Sequence, residues 1–138
     1  MDGLSSGAVG FSLTGQVVRG QGVAKGFTEL FWVRREFLLK LGLRLWPGTL
    51  NLRILDAENQ ALWEAVCAFP GIPLVPPNRD SCGAKTYPVV LNDQVRGAIV
   101  LPEIPEYPKD LVEVVSVGSL RAELRLADGD LVSLRVSG

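Results

Sequence analysis

Thr49 and Asn51 stand two residues apart in Thr49-Leu50-Asn51-Leu52-Arg53-Ile54, a run that alternates polar and apolar. Residues two apart on an extended strand share a face, so two neutral oxygens point the same way. Such a pair suits a hard cation like Mg²⁺ whose other positions are filled by water and phosphate oxygens, although Thr and Asn on a strand usually just face solvent. Glu113 is a lone carboxylate in Leu111-Val112-Glu113-Val114-Val115. There it requires a partner or a cavity to face, unless it takes an outward place at an edge. Gly20-Gln21-Gly22-Val23-Ala24-Lys25-Gly26 offers backbone amides and one ammonium between a strand and a helix. That arrangement can cradle phosphate and also serves as an ordinary tight turn; it is neither a Walker loop nor a GxGxxG fingerprint. Gly118-Ser119-Leu120-Arg121 puts a turn, a hydroxyl and a guanidinium directly after the strand of Glu113, suited to clamping a base or phosphate, although Arg121 also fits a plain surface. Trp32, Trp46 and Trp63 read as core or rim packing, with room for one of them to line a ring-binding pocket.

The elements that must position these groups are short. Leu13, Val17 and Val18 mark a first strand over Ser12 to Arg19, closed by the glycine turn. The strongest helix signal follows, with Thr28 as a cap, Leu30, Phe31, Phe37, Leu38 and Leu41 at helical spacing, and Gly42 as the stop. Arg34, Arg35 and Lys40 fall on its other face, as a solvated surface or a phosphate contact. Thr49 to Ile54 reads as a half-buried strand with Leu50, Leu52 and Ile54 inward, and Asp56 opens a second helix through Val66. After the proline-rich stretch Phe69 to Pro77 come strands at Lys85 to Leu91, Gly97 to Leu101 and Leu111 to Ser116. Asp128-Gly129 is a turn that joins Leu124-Arg125-Leu126 to a last strand, Leu131 to Val136. About six short strands with two inserted helices do not alternate as a doubly wound sheet requires, so a small closed β-barrel with helical insertions is expected.

Composition narrows the chemistry. The 138 residues, 47% hydrophobic and 21% charged, are expected to form one domain over residues 11–138 behind a flexible tail at 1–10. Zero histidines exclude Ser-His-Asp and Cys-His relays, HExxH zinc sites and imidazole switches. A net charge of −1 provides no broad field for nucleic acid or anionic membrane, and neither is expected as a partner. Cys67 and Cys82 lack metal spacing and read as reduced thiols. With no signal-like start and no apolar run of spanning length, the expectation is a cytoplasmic monomer.

Taken in order, the glycine loop, LGLRLWPGTLNLRI, CGAKTYPVVL, GAIVLP, LVEVV and SLRAELRLADGDLVSLRV resemble the archaeal-type CTP-dependent riboflavin kinases. The likeness runs from about Gly15 to Val136, and Gly48-Thr49-Leu50-Asn51 is its most specific block. The resemblance implies a six-stranded cradle-loop β-barrel that moves the γ-phosphate of CTP to the ribityl 5′-hydroxyl of riboflavin, giving FMN and CDP. By position it implies that Thr49 and Asn51 hold Mg²⁺. Gln21, Gly22, Val23, Ala24, Lys25 and Gly26, with Gly118, Ser119, Leu120 and Arg121, match the two nucleotide segments. Glu113 matches a flavin-contacting carboxylate, and Lys85 lies in a family block facing the nucleotide. Val23 stands where the family tends to have Glu, and Pro105 near its usual flavin-contacting threonine, with Tyr107 available to stack on the ring instead. The residues before Gly15 are too few for the winged-helix domain of some relatives, which disfavours a regulator role.

Phosphoryl transfer needs positioning and charge neutralisation more than covalent chemistry, so these groups suffice without histidine. Glu113 is then the group expected to orient the hydroxyl or accept its proton late. The alternative is a non-catalytic nucleotide- or flavin-binding barrel.

Overall fold

The computed structural model describes residues 10–19, 24–78 and 82–137. In chain order the elements are β1 (Gly10–Val17), α1 (Lys25–Thr28), α2 (Phe31–Leu41), β2 (Leu50–Arg53), α3 (Ala57–Cys67), β3 (Ile72–Leu74), β4 (Ala84–Leu91), β5 (Val95–Pro102), β6 (Leu111–Val115), α4 (Leu120–Glu123) and β7 (Leu131–Ser137). The strands pair antiparallel in the order β3-β4-β5-β6-β2-β1-β7, and β7 returns to β4. Six strands thus close a ring, the expected small barrel, and β3 lies outside it on β4. Closure satisfies edge groups that short apolar strands otherwise present to other chains. Strand β4 serves two neighbours along one edge: Ala84 to Thr86 pair with β3, and Val89 to Leu91 pair with β7. Pro88, which has no N–H to donate, falls between the two pairings.

Side-chain alternation sorts the strands into two cores. Leu52, Tyr87, Val89, Leu91, Ile99, Val112, Val114, Val132 and Leu134 fill the barrel. On the outer face, Ala98, Val100 and Val115 pack beneath Ala24, Val33 and Phe37. Strand β6 is therefore covered on both sides and all five of its residues are buried. That explains an apolar run with a carboxylate in it: Val112 and Val114 face the barrel interior while Glu113 and Val115 face the helical cover.

Several local expectations are corrected. Thr28 does not cap the long helix; it ends α1, and Leu30 in extended geometry starts α2 without a side-chain cap. The buried face of α2 is Val33 and Phe37, whereas Phe31 is 80% exposed and Leu30 and Leu38 are also exposed. Gly42 does stop this helix, at a φ of 70° that only glycine adopts without strain. Asp56 caps α3 as expected, accepting the Asn59 N–H at 2.8 Å. Leu124 to Leu126 is not a strand. Ser119 caps α4 there, and Arg125 turns left-handed at φ 54°. Strand β3 was hidden inside the proline-rich connection. Among the described residues no helix is long and apolar enough to cross a membrane, and both cysteines are free thiols.

Candidate functional site

Glu113 organises the site. Strand pairing puts it opposite Asn51 of β2 and Val100 of β5, and its side chain is fully buried. The backbone N–H of Ala24 donates to both carboxylate oxygens, at 3.0 and 2.9 Å. The Thr49 hydroxyl lies 3.2 Å from Oε2, and the Tyr107 hydroxyl donates to Oε1 at 2.9 Å. A buried carboxylate requires several donors, and three segments far apart in sequence, at Ala24, Thr49 and Tyr107, converge on it.

Thr49 and Asn51 share one face, as the alternation predicts: Thr49 Oγ1 and Asn51 Oδ1 are 2.9 Å apart. The hydroxyl carries one proton, so it donates to Asn51 or to Glu113 at any moment, never to both. Asn51 is buried, not solvent-facing. Gly48, at φ 97°, makes the turn that leads into this strand.

Two clefts share Thr49 and Arg121. One is lined by Val18, Arg19, Thr49, Asn51 and Arg121. The other runs from Trp46, Pro47, Gly48 and Thr49 to Ser116 and the Gly118-Ser119-Leu120-Arg121 turn. Ser119 accepts the Ala122 N–H at 3.3 Å, which shapes that turn, and Leu120 is buried beneath it. Asp128 accepts from Arg121 at 2.8 Å and pairs with Arg19 at 3.2 Å, so one carboxylate orients both guanidiniums at the cleft. The Arg121 hydrogen bond holds the Asp128 carboxyl below the usual range.

Across Tyr107 lies a different environment. Trp63, Cys67, Leu101, Ile104, Tyr107 and Pro108 line an apolar pocket with the exposed Glu64, Glu103 and Lys109 also on it. Burial first, and then the Glu113 charge, push the Tyr107 phenol far up, so it stays a proton donor. Burial likewise raises the Cys67 thiol to about 11.

The sequence candidates divide accordingly. Thr49, Asn51, Glu113, Tyr107, Arg121 and the turn before it come together. Ala24 joins them through its N–H, directed at Glu113. Gln21, Gly22 and Val23 lie outside the described residues, as does the Lys25 side chain; Gly26 belongs to α1 and is exposed. Lys85 is turned elsewhere: its ammonium donates to the carbonyl of Cys67 at 3.1 Å, at the end of α3, where a cation is favoured. Pro105 is exposed in a turn and is not among the residues lining the apolar pocket. Sequence reasoning missed Arg19 and Asp128, and the only available signal was a turn aspartate seven residues after Arg121. Among the described residues no cluster of three or more Asp, Glu, Cys or His is poised for a metal.

Fold and site define a small closed barrel whose buried carboxylate separates an oxygen- and arginine-lined cleft from an apolar pocket. Residues 17–136 match the family model CTP-dep_RFKase, described as a domain of unknown function, DUF120. The chain belongs to this family, the one its sequence blocks resemble. It is similar to proteins named riboflavin kinase from Methanocella arvoryzae, 36% identical over 88% of this chain and 55% of the relative, and from Pyrobaculum islandicum, 38% identical over 90% and 59%. A riboflavin kinase from Methanopyrus kandleri is 32% identical over 90% of this chain and 82% of its own. The chain thus spans a little over half the length of the first two relatives.

Proposed function

We propose that this protein is a riboflavin kinase that takes CTP as phosphoryl donor, releasing FMN and CDP. The observation that carries the reading is Glu113, buried where the cleft of Thr49, Asn51 and Arg121 adjoins the pocket of Tyr107 and Trp63. On this reading the triphosphate takes the first and the flat flavin ring the second, with the ribityl hydroxyl directed to the carboxylate. The hydroxyl oxygen forms the new bond to the γ-phosphorus as the bond to the β-phosphate oxygen breaks, and Glu113 orients the hydroxyl and takes its proton late. Arg121 and Arg19 neutralise phosphate charge.

Thr49 and Asn51 are hard, neutral oxygen donors 2.9 Å apart, a set that fits Mg²⁺ shared with phosphate oxygens. When bound, the ion would supply charge neutralisation to the phosphates. The name of the matching family and the relatives' names support flavin as acceptor and CTP as donor.

A second reading, a binding barrel without turnover, draws on the same carboxylate, because Glu113 is already held by Ala24, Thr49 and Tyr107 as a structural buried acid would be. Incubation with riboflavin, Mg²⁺ and each of CTP, ATP, GTP and UTP separates the two. FMN formed best with CTP, and lost when Thr49→Ala and Asn51→Ala are combined, is the expected result. Saturable binding with no FMN from any donor leaves the binding barrel.

A further inference from the structure

Trp46 has no role in the site as described, yet it is an indole left 52% exposed on the wall of the cleft that holds Thr49, Ser119 and Arg121. The other two tryptophans are differently placed: Trp63 is buried, and Trp32 packs edge-on against Phe27, ring centroids 5.5 Å apart. Large exposed aromatics are costly to leave in water unless something covers them. The backbone here is fixed. Trp46 N–H donates to the Ser116 carbonyl at 2.8 Å, and Pro47 follows, which restricts the φ and ψ of the residue before it. The indole is therefore carried on a restrained backbone, and binding has only the side chain to order.

We propose that Trp46 is the stacking surface for the nucleobase of the phosphoryl donor, an inference that rests on reading this cleft as the donor site. Only Pro47 and Gly48 separate it from Thr49, and three Cα-to-Cα steps span at most about 10 Å, which is of the order of the reach from a base across its ribose to the phosphates. With phosphates at Thr49 and Arg121, the base falls on the indole. Ser119 and the backbone of the Gly118 turn lie along the same cleft and are available to the base edge. An indole face accepts any base, so Trp46 supplies affinity, and discrimination is left to the hydrogen-bonding groups beside it.

The test is titration of wild type, Trp46→Phe and Trp46→Ala with CDP and Mg²⁺, by calorimetry and by tryptophan emission. CDP should quench wild-type emission. Trp46→Phe should bind CDP within about threefold of wild type with the quench gone, and Trp46→Ala about 5- to 150-fold more weakly. Melting midpoints serve as the fold control and should be unchanged in both. Wild-type affinity in Trp46→Ala, or a quench that survives in Trp46→Phe, overturns this inference alone. A wild-type protein that binds no CDP overturns the donor-site reading and this inference with it.

Discussion

The backbone N–H of Ala24 sits 3.0 and 2.9 Å from the two carboxylate oxygens of Glu113, a residue 89 positions further along the chain. That bond fastens the start of α1 to the middle of β6, so the acid of the site also anchors the segment that covers it. A neutral amide of the same shape cannot reproduce this, because its NH₂ meets an N–H or hydroxyl donor instead of accepting from it.

Glu113→Gln should therefore lose on both counts. FMN formation should fall by about 10²- to 10⁴-fold, the usual loss for a positioned acid–base group. Urea unfolding should show a destabilisation of about 1–3 kcal/mol from buried donors left without an acceptor. Full turnover in this variant removes Glu113 from proton transfer.

The chain has two tyrosines, and both phenols are raised. Burial lifts Tyr87 to about 12, where its hydroxyl also donates to the Phe69 carbonyl at 2.7 Å, and Tyr107 goes further in the same direction. The unfolded chain loses these protons near pH 10 while the folded one keeps them. Stability is then fully present below pH about 10 and falls as pH rises through the folded values. Absorbance of tyrosinate should be nearly absent from the native protein at pH 10 and appear on adding urea; half-ionised tyrosines in the native state contradict this burial.

Asp128→Asn should act on the donor and leave the fold intact. The carboxylate is partly exposed and ties Arg121 and Arg19 together. Without it both guanidiniums are free to leave the cleft, and the KM for the nucleotide should rise about two- to fivefold with kcat little changed. In the wild type, Arg121 holds the Asp128 carboxyl down. The pairing should thus persist below the ordinary carboxylate range and weaken only as pH falls through the lowered value. A KM independent of this substitution argues against Arg121 as a phosphate contact.

Thiol labelling reports on the apolar pocket. Cys82 is exposed, whereas Cys67 lines the pocket with its thiol pushed up to about 11 by burial. At pH 8 a maleimide should modify Cys82 rapidly and Cys67 slowly, because the thiolate is the nucleophile. Riboflavin should slow Cys67 further and leave Cys82 unaffected. Equal protection of both, or of neither, places the flavin elsewhere.

Much of this arrangement was legible from periodicity. The alternation around Leu50, Leu52 and Ile54 located β2 and put Thr49 and Asn51 on one face, and the turn before Leu131 located β7. What was not legible depended on partners distant in the chain. Ile72-Pro73-Leu74 is too short and proline-bearing to signal a strand, and it becomes β3 only because Ala84 to Thr86 lie beside it. Of the stripe Leu30, Phe31, Phe37, Leu38 and Leu41, Phe37 is buried as its spacing suggests, but it is joined by Val33, which the stripe omits, while Leu30, Phe31 and Leu38 stay exposed; spacing alone cannot choose between two overlapping apolar faces. Glu113 was visible as an anomaly, but two of its donors come from Ala24, just before α1, and from the loop before β6, and no local pattern names them. Lys85 shows the converse: its family block suggested a nucleotide contact, and its ammonium is bonded to carbonyls at the end of α3.

The double use of β4 has a consequence for how this barrel comes together and fails. One strand, β7, seals Gly10 to Gln16 of β1 on one side and Val89 to Leu91 of β4 on the other. Both contacts join residues remote in sequence, so they belong to the slow, late part of assembly. Before β7 docks, or in a chain interrupted ahead of Leu131, β1 and β4 each carry a row of unpaired amides and carbonyls, and such a row is a template for another molecule's strand. Self-association of this protein should accordingly begin at those two edges, with Pro88 limiting how far a foreign strand can extend along β4.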